Sequence, residues 1–173
     1  MQTSFTDKQL ENKDNKSSEN ILRKCVHCGM CNATCPTYAI NGNELEGPRG
    51  RIYLIKDMLE NKKPANKKIA QHIDSCLSCY GCMTTCPSGV NYMHLIDHGR
   101  NYVEETYKRP FLDRLLRNIL SFTLPRPNVF LVLALLTKII KPFSFMLPQF
   151  LRNSLNLMPD RIQSKKIKIQ KVY

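Results

Sequence analysis

All eight cysteines of this 173-residue chain fall into two copies of one pattern. Each copy reads C-x2-C-x2-C-x3-C-P, and the copies begin at Cys25 and Cys76. Three thiolates spaced three residues apart can wrap a loop around one corner of an iron–sulfur cubane, while the fourth points away from that corner. The duplicated pattern therefore predicts two [4Fe–4S] clusters.

The fourth cysteine of each run is predicted to bind the cluster of the other run, as it does in two-cluster ferredoxins. The first cluster is assigned to Cys25, Cys28, Cys31 and Cys86, and the second to Cys76, Cys79, Cys82 and Cys35. Pro36 and Pro87 fix φ and lack an N–H group, so each is expected to turn the chain sharply after the crossing ligand. The crossing explains why the pattern occurs twice, since a single copy would leave its fourth cysteine without a cluster.

Structural zinc and disulfides are the alternative uses of these cysteines. Structural zinc also takes four cysteines, but usually as two C-x2-C pairs, which leaves the third and fourth cysteines of each run unexplained. Disulfides are rare in the cytosol, and residues 1–20 lack the apolar segment of a secretory signal. The chain is therefore predicted to be a cytoplasmic metal-binding protein.

Several residues near the cysteines have more than one interpretation. Gly29 and Gly81 are expected to allow tight loop dihedrals and a close approach of backbone N–H groups to cluster sulfur. His27 could tune a reduction potential or be a partly exposed loop histidine. Arg49 and Arg51, in the stretch GPRGR, could face a cluster or a partner carboxylate, or be solvated in the first turn of a helix.

No catalytic motif accompanies the cysteine runs. The chain contains no G-x-G-x-x-G, no P-loop and no G-x-S-x-G sequence. His72, His94 and His98 have no second metal-ligand pattern around them and are interpreted as structural. The chain is thus predicted to have no catalytic residue and no substrate site of its own, and to carry electrons for an oxidoreductase complex.

Composition divides the chain into four parts. Residues 1–19 are polar and are predicted to form a disordered arm. Residues 20–107 hold both cysteine runs and are predicted to form a helical domain with two cluster-binding loops. Residues 108–158 are predicted to be a helical extension broken by prolines, and residues 159–173 a basic tail.

Two helices of the cysteine-bearing domain show a clear apolar period. The first is expected to turn inward Ile52, Ile55, Met58 and Leu59. The second is expected to do so with Val90, Met93, Ile96 and Val103. No stretch alternates for long enough to be a convincing strand, so the fold class is predicted to be mainly α.

The basic residues lie behind the cysteine-bearing region. Residues 25–107 have no net charge, whereas residues 108–158 carry +7 and residues 159–173 carry +4. Leu, Ile and Phe are interleaved with the basic residues of 108–158, which favours a partner subunit or the cytoplasmic face of the inner membrane over nucleic acid. The alternative, a non-redox protein with structural metal whose basic tail binds nucleic acid, would bind with strong salt dependence.

Four stretches resemble the iron–sulfur subunit of glycolate oxidase, also called glycolate dehydrogenase. They are CVHCGMCNATCPTY, ELEGPRGRIYLIKDMLE, HIDSCLSCYGCMTTCPSGVNYMHLIDHGR and PNVFLVLALL. The resemblance covers roughly residues 20–158. The cysteine runs alone are shared with other electron-transfer subunits, but GPRGR together with the second run is more specific to the glycolate type.

The resemblance implies a function. In that family a flavin subunit oxidises glycolate to glyoxylate, and electrons pass through the iron–sulfur subunit towards a membrane quinone. It also implies an α-helical ferredoxin-like fold and flavoprotein partners. The alternative complexes are anaerobic glycerol-3-phosphate dehydrogenase, lactate utilisation and heterodisulfide reductase. Members of the family continue into a second half with paired-cysteine CCG motifs, whereas no cysteine follows Cys86 here.

Overall fold

The structure, a computed structural model, describes residues 1–140 and residue 149. This described part contains ten α-helices and one 3₁₀ turn, and no strand. The predicted mainly α fold is confirmed. The chain divides into two compact units, Met1–Lys108 and a second unit that begins at Arg109, and the predicted domain boundary after residue 107 lies beside this division.

The helices of the first unit flank the two cysteine runs. They are α1 (Asp7–Leu10), α2 (Lys13–Lys24), α3 (Met30–Ala33), α4 (Pro36–Asn41), α5 (Pro48–Asn61), α6 (Lys67–Asp74), α7 (Gly81–Thr84) and α8 (Tyr92–Thr106), with a 3₁₀ turn at Glu44–Glu46. The long helices α5 and α8 pack against each other, and α2 and α6 both pack against α8. The one-turn helices α3 and α7 also lie against each other, which brings the two cysteine runs together.

Aliphatic side chains from α2, α5, α6 and α8 form the core of the first unit. Those with no exposed surface are Leu22, Ile55, Met58, Ile73, Leu95, Ile96 and Val103. All four residues predicted on the inward face of α5 lie in this core. The prediction for the second helix is wrong at Met93, which is 43% exposed, and Leu95 occupies the core instead.

The prediction of a disordered arm over residues 1–19 is wrong, because α1 and the first half of α2 lie there. The Asn12 side chain caps the N-terminus of α2. The Gln9 Nε2 donates hydrogen bonds to the carbonyl oxygens of Leu59 (3.0 Å) and Glu60 (2.9 Å), at the end of α5. The polar side chains that suggested disorder thus serve as helix caps and as partners for otherwise unsatisfied carbonyl groups.

Helices α5 and α8 approach each other closely at Gly99. A Cβ atom at this position would lie 2.8 Å from Cγ1 and 2.9 Å from Cδ1 of Ile55. A second close approach occurs at Gly50, where a Cβ atom would overlap the Glu44 carbonyl group. The two glycines therefore allow α5 to pack tightly against α8 at one point and against the 3₁₀ turn at another.

The described part of the second unit consists of α9 (Phe111–Thr123) and α10 (Pro127–Ile140), which contact each other. Most of their large apolar side chains are exposed, including Phe111, Leu112, Leu116, Ile119, Phe122 and Val132. No single helix in the described residues is long and apolar enough to cross a membrane. The pair Phe111–Thr123 and Pro127–Leu136, which is bent by 113°, has the length and apolar composition of a membrane span only when its two helices are taken together. The rest of the predicted extension and the tail at 159–173 lie outside the described residues, apart from residue 149.

The contact between Gly99 and Ile55 can be tested by mutation. We expect Gly99→Ala to lower the melting temperature of the chain, because overpacking a core costs about 1–3 kcal/mol. Gly99→Ala combined with Ile55→Val should recover part of the loss, since valine lacks the Cδ1 atom that the new methyl group would meet. Thermal unfolding of both, with Ile55→Val alone as the control, provides the measurement. An unchanged melting temperature for Gly99→Ala would contradict this packing of α5 on α8.

Candidate metal centre

The two cysteine runs share one backbone conformation. Positive φ values occur at His27 (61°) and Gly29 (81°) in the first run, and at the equivalent Ser78 (52°) and Tyr80 (55°) in the second. Each run then enters a one-turn helix, α3 or α7, which carries the third cysteine. The repeated spacing therefore produces a repeated loop geometry, with left-handed residues turning the chain between successive cysteines.

The residue that precedes the one-turn helix, α3 or α7, differs between the runs. Gly29 has the tight loop conformation predicted for it. The same prediction for Gly81 is wrong, because Tyr80 adopts the left-handed conformation and Gly81 is the first residue of α7. A left-handed conformation costs a residue with a side chain roughly 1–2 kcal/mol. The contacts of the loop must therefore hold Tyr80 in place.

Two cavities open between the runs, and each is lined by cysteines from both. The larger, with about 460 Å³ of empty space that includes open solvent, is lined by Cys25, Cys28, Cys31, Cys82 and Cys86. The smaller, with about 300 Å³ counted in the same way, is lined by Cys35, Cys76, Cys79 and Cys82. The fourth cysteine of each run thus faces the cavity that the first three cysteines of the other run surround. Cys82 lines both cavities, so they are adjacent.

The residues around the cavities suit iron–sulfur clusters. Thiolates are the soft ligands that such clusters take, and all eight line a cavity. The rest of the larger cavity is mainly apolar, with Val26, Ile52 and Val90 in its wall. His27 also lines it, and its buried Nε2 has no hydrogen-bond partner among the described residues. Within residues 1–140 and 149, no group of three or more His, Cys, Asp or Glu side chains is arranged to hold a single metal ion.

Burial controls the ionisation of the central thiols. Burial, followed by the neighbouring Cys25, raises the pKa of Cys31 to about 11. Burial, followed by Cys31, raises the pKa of Cys82 to about 12. Burial also opposes ionisation of Cys35, but hydrogen bonds, the first of them with Thr37, lower the pKa of that thiol overall. Metal must bind the thiolate forms, so loading of these sites releases protons.

Arg51 lies beside the smaller cavity, with a side chain only 1% exposed. Its Nη1 lies 4.0 Å from Cys35 Sγ. Its Nη2 donates to Glu46 Oε2 and to Thr37 Oγ1, each at 3.1 Å. Its Nε donates to the His72 carbonyl oxygen at 2.6 Å. These contacts fix the plane of the guanidinium group and hold one of its nitrogens towards a predicted cluster ligand.

Glu46 is the counter-ion of Arg51, and other polar groups hold it in position. His72 Nδ1 lies 2.6 Å from Glu46 Oε1, and the Ser75 hydroxyl donates to Oε2. Burial opposes ionisation of Glu46, but hydrogen bonds from Ser75 and His72 and the positive charge of Arg51 lower its pKa overall. The ion pair is therefore charged inside the protein. Because Ser75 directly precedes Cys76, the network joins α5 and α6 to the second cysteine run.

Tyr92 brings a further hydrogen-bond donor to the smaller cavity. The residue is 3% exposed, and its hydroxyl lies 3.8 Å from Cys76 Sγ. Burial, followed by the neighbouring Cys76, raises the pKa of Tyr92, so the hydroxyl keeps its proton and can donate it. Neither Tyr92 nor Glu46 stands out in the sequence. Each reaches the centre through the packing of helices rather than through a spacing motif.

The larger cavity has a more solvated charge beside it. Arg49 lines this cavity, is 41% exposed, and pairs at 3.4 Å with Glu44, which is 49% exposed. His27 Nδ1 lies 3.5 Å from Cys25 Sγ, and its ring packs edge-on against Tyr53. Burial, followed by the charge of Arg49, lowers the pKa of His27. Of the two arginines in GPRGR, only Arg51 is buried against a predicted ligand.

The remaining histidines are placed away from the cavities' cysteines. His98 Nδ1 lies 2.6 Å from the fully buried Ser18 hydroxyl and so joins α8 to α2. His94 Nε2 is buried, with no hydrogen-bond partner among the described residues. His72 supports Glu46, as described above. None of the three lines either cavity.

Comparisons with known proteins show that the chain is similar to iron–sulfur proteins. Residues 21–90 match the family described as the 4Fe-4S dicluster domain. The chain is 48% identical to the glycolate oxidase iron–sulfur subunit of Escherichia coli K12, over 90% of the chain and 37% of that subunit. It is 33% identical to the probable glycolate oxidase iron–sulfur subunit of Bacillus subtilis 168, over 64% of the chain and 25% of that relative. A succinate dehydrogenase iron–sulfur subunit of Paracoccus denitrificans is 28% identical over 40% of the chain and 29% of its own length.

No solved structure matches the chain. The chain spans 37% and 25% of the lengths of the two glycolate oxidase relatives. Both relatives are iron–sulfur subunits, which agrees with the chemistry of the two cysteine-lined cavities. Residues 21–90 thus match the 4Fe-4S dicluster domain family, and the predicted resemblance to the iron–sulfur subunits of glycolate oxidase is confirmed.

Proposed function

We propose that the first unit holds two [4Fe–4S] clusters by exchange of the fourth cysteines. The first cluster would be held by Cys25, Cys28, Cys31 and Cys86, and the second by Cys76, Cys79, Cys82 and Cys35. The observation that supports this assignment is the lining of the two cavities, in which Cys86 accompanies the first run and Cys35 the second.

When bound, such clusters accept and release electrons one at a time. The protein supplies eight thiolates, holds them on two matching loops, and keeps the two sites next to each other through Cys82. The wall of the larger cavity is mainly apolar, with Val26, Ile52 and Val90 beside the cysteines. The chain itself performs no bond-breaking chemistry in this proposal.

The proposed role is electron transfer within a glycolate dehydrogenase complex. A flavin-containing partner subunit would oxidise glycolate to glyoxylate, and this chain would pass the electrons towards a quinone-type acceptor. The 48% identity to a glycolate oxidase iron–sulfur subunit supports this assignment over other redox complexes. A two-electron donor such as a reduced flavin must release its electrons singly to clusters, and two neighbouring clusters suit that task.

The second unit is proposed to dock on the partner subunit. Helices α9 and α10 expose many large apolar side chains, and exposed patches of this kind mark interfaces. We also propose a cytoplasmic location, with peripheral contact between the chain and the inner membrane. Support for the membrane contact comes from the net charge of +7 over residues 108–158, which suits anionic headgroups.

The exchange of cysteines makes opposite predictions for two matched variants. We expect Cys86→Ser to damage the cluster of the first run and Cys35→Ser to damage the cluster of the second run, because each removes a ligand from the other run's cluster. Iron content and electron paramagnetic resonance spectra of the reduced variants measure the damage. If Cys86→Ser perturbs only the cluster of Cys76, Cys79 and Cys82, the exchange does not occur.

The docking proposal can be tested with exposed aliphatic residues. Leu116 in α9 is 56% exposed, and Ile40 in the first unit is 82% exposed. We expect Leu116→Glu to reduce copurification with the flavin subunit, because a charge would enter the apolar contact, whereas Ile40→Glu should have no effect. Loss of copurification only with Ile40→Glu would move the contact to the first unit.

The loaded wild-type complex should lose visible cluster absorbance when glycolate is added. Bleaching by lactate or glycerol 3-phosphate but not by glycolate would overturn the assignment of glycolate as the substrate.

A further inference from the structure

The two cysteine-lined cavities differ in the polar groups that approach their sulfur atoms. Beside the smaller cavity, Arg51 Nη1 lies 4.0 Å from Cys35 Sγ, and the Tyr92 hydroxyl lies 3.8 Å from Cys76 Sγ. Both donors belong to residues that are at most 3% exposed. Tyr92 lines both cavities, but the sulfur that its hydroxyl approaches is that of Cys76, beside the smaller one. Hydrogen bonds to ligand sulfur and positive charge in the surroundings favour the reduced, more negative state of a cluster.

The charge of Arg51 acts in a poorly solvated place. A guanidinium group is always protonated, and water screens a buried charge much less than an exposed one. Its partner Glu46 is bound at Nη2, while Nη1 faces Cys35, so the positive end of the ion pair is directed to the sulfur. Arg100 also approaches this run, since its Nη2 donates to the Cys76 carbonyl oxygen at 2.6 Å, but its side chain is 33% exposed and its Nη1 pairs with Asp97 at 4.0 Å, so solvent and Asp97 screen its charge.

No side-chain cation among the described residues lies as deeply buried beside the larger cavity as Arg51 does beside the smaller one. The partly buried N-terminal ammonium of Met1 donates to the Cys25 carbonyl oxygen, as Arg100 does to that of Cys76, so these two contacts balance each other. Arg49 lines it, but both Arg49 and its partner Glu44 are more than two-fifths exposed. Solvent therefore screens their charges, and exposed ion pairs of this kind have small effects. Beside this cavity, His27 Nδ1 lies 3.5 Å from Cys25 Sγ.

We propose that Arg51 and Tyr92 give the cluster of Cys35, Cys76, Cys79 and Cys82 a higher reduction potential than the cluster of Cys25, Cys28, Cys31 and Cys86. The inference rests on the proposed pair of clusters. One electron leaves the reduced first cluster, which returns to its oxidised state, and the same electron reduces the second cluster, with no bond made or broken. The protein thus gives electron transfer a direction, from the first run to the second.

The proposal is tested by a potentiometric titration of the loaded full-length chain, followed by electron paramagnetic resonance at each cluster. Glu46→Gln removes the negative partner of Arg51 and should raise the potential of the second cluster. Tyr92→Phe removes a sulfur donor and should lower it. Arg51→Gln should lower it further, by about 59 mV or more, which is a tenfold change in the one-electron equilibrium. Tyr53→Phe is the matched control, because Tyr53 packs on His27 beside the other run.

Opposite shifts of the second cluster in Glu46→Gln and Tyr92→Phe, with the first cluster unchanged, would establish the proposal even if Arg51→Gln fails to fold. It is overturned if the first cluster has the higher potential in the wild-type chain, or if the variants shift both clusters equally. A wild-type chain without two cluster signals would instead contradict the proposed cofactors. The failures of the two proposals are therefore distinguishable.

Discussion

The pairing of each fourth cysteine with the cavity of the other run is the constraint on which the arrangement of the first unit depends. Cys86 faces the cavity of the first run and Cys35 that of the second, so neither set of four thiols is complete unless both runs face each other. The contact of α3 with α7 and the close crossing of α5 and α8 at Gly99 maintain that position. Since the thiols come from distant parts of the sequence, metal binding and folding are coupled in such a domain.

The same repeat places two matching loops in unlike surroundings. The runs share their left-handed positions and their one-turn helices. The groups behind them come from helices that are not repeated, with Arg51 on α5 and Tyr92 on α8. Duplicated ligands therefore need not produce equivalent sites, because the surrounding charges and donors also tune a cluster.

Local patterns in the sequence were sufficient to predict the helical fold and the residues on the inward face of α5, because the period and spacing of apolar residues reflect local geometry. They did not reveal α1 and α2, where polar residues such as Gln9 and Asn12 have tertiary or capping partners. Nor did they indicate that Tyr80 would adopt the left-handed conformation that Gly29 adopts at the equivalent position of the first run. The partners of Arg51 could not be predicted, because Glu46, His72 and Ser75 meet only after α5, α6 and the 3₁₀ turn pack together.

The most direct measurement is the iron and acid-labile sulfide content of the anaerobically purified chain, combined with the electron paramagnetic resonance spectrum of its fully reduced form. Two clusters held by exchanged cysteines should give about eight iron atoms per chain, four from each cluster. Because Cys82 lines both cavities, the two reduced clusters should also show magnetic coupling to each other. About four iron atoms per chain, or stoichiometric zinc without a paramagnetic signal, would contradict the two-cluster centre.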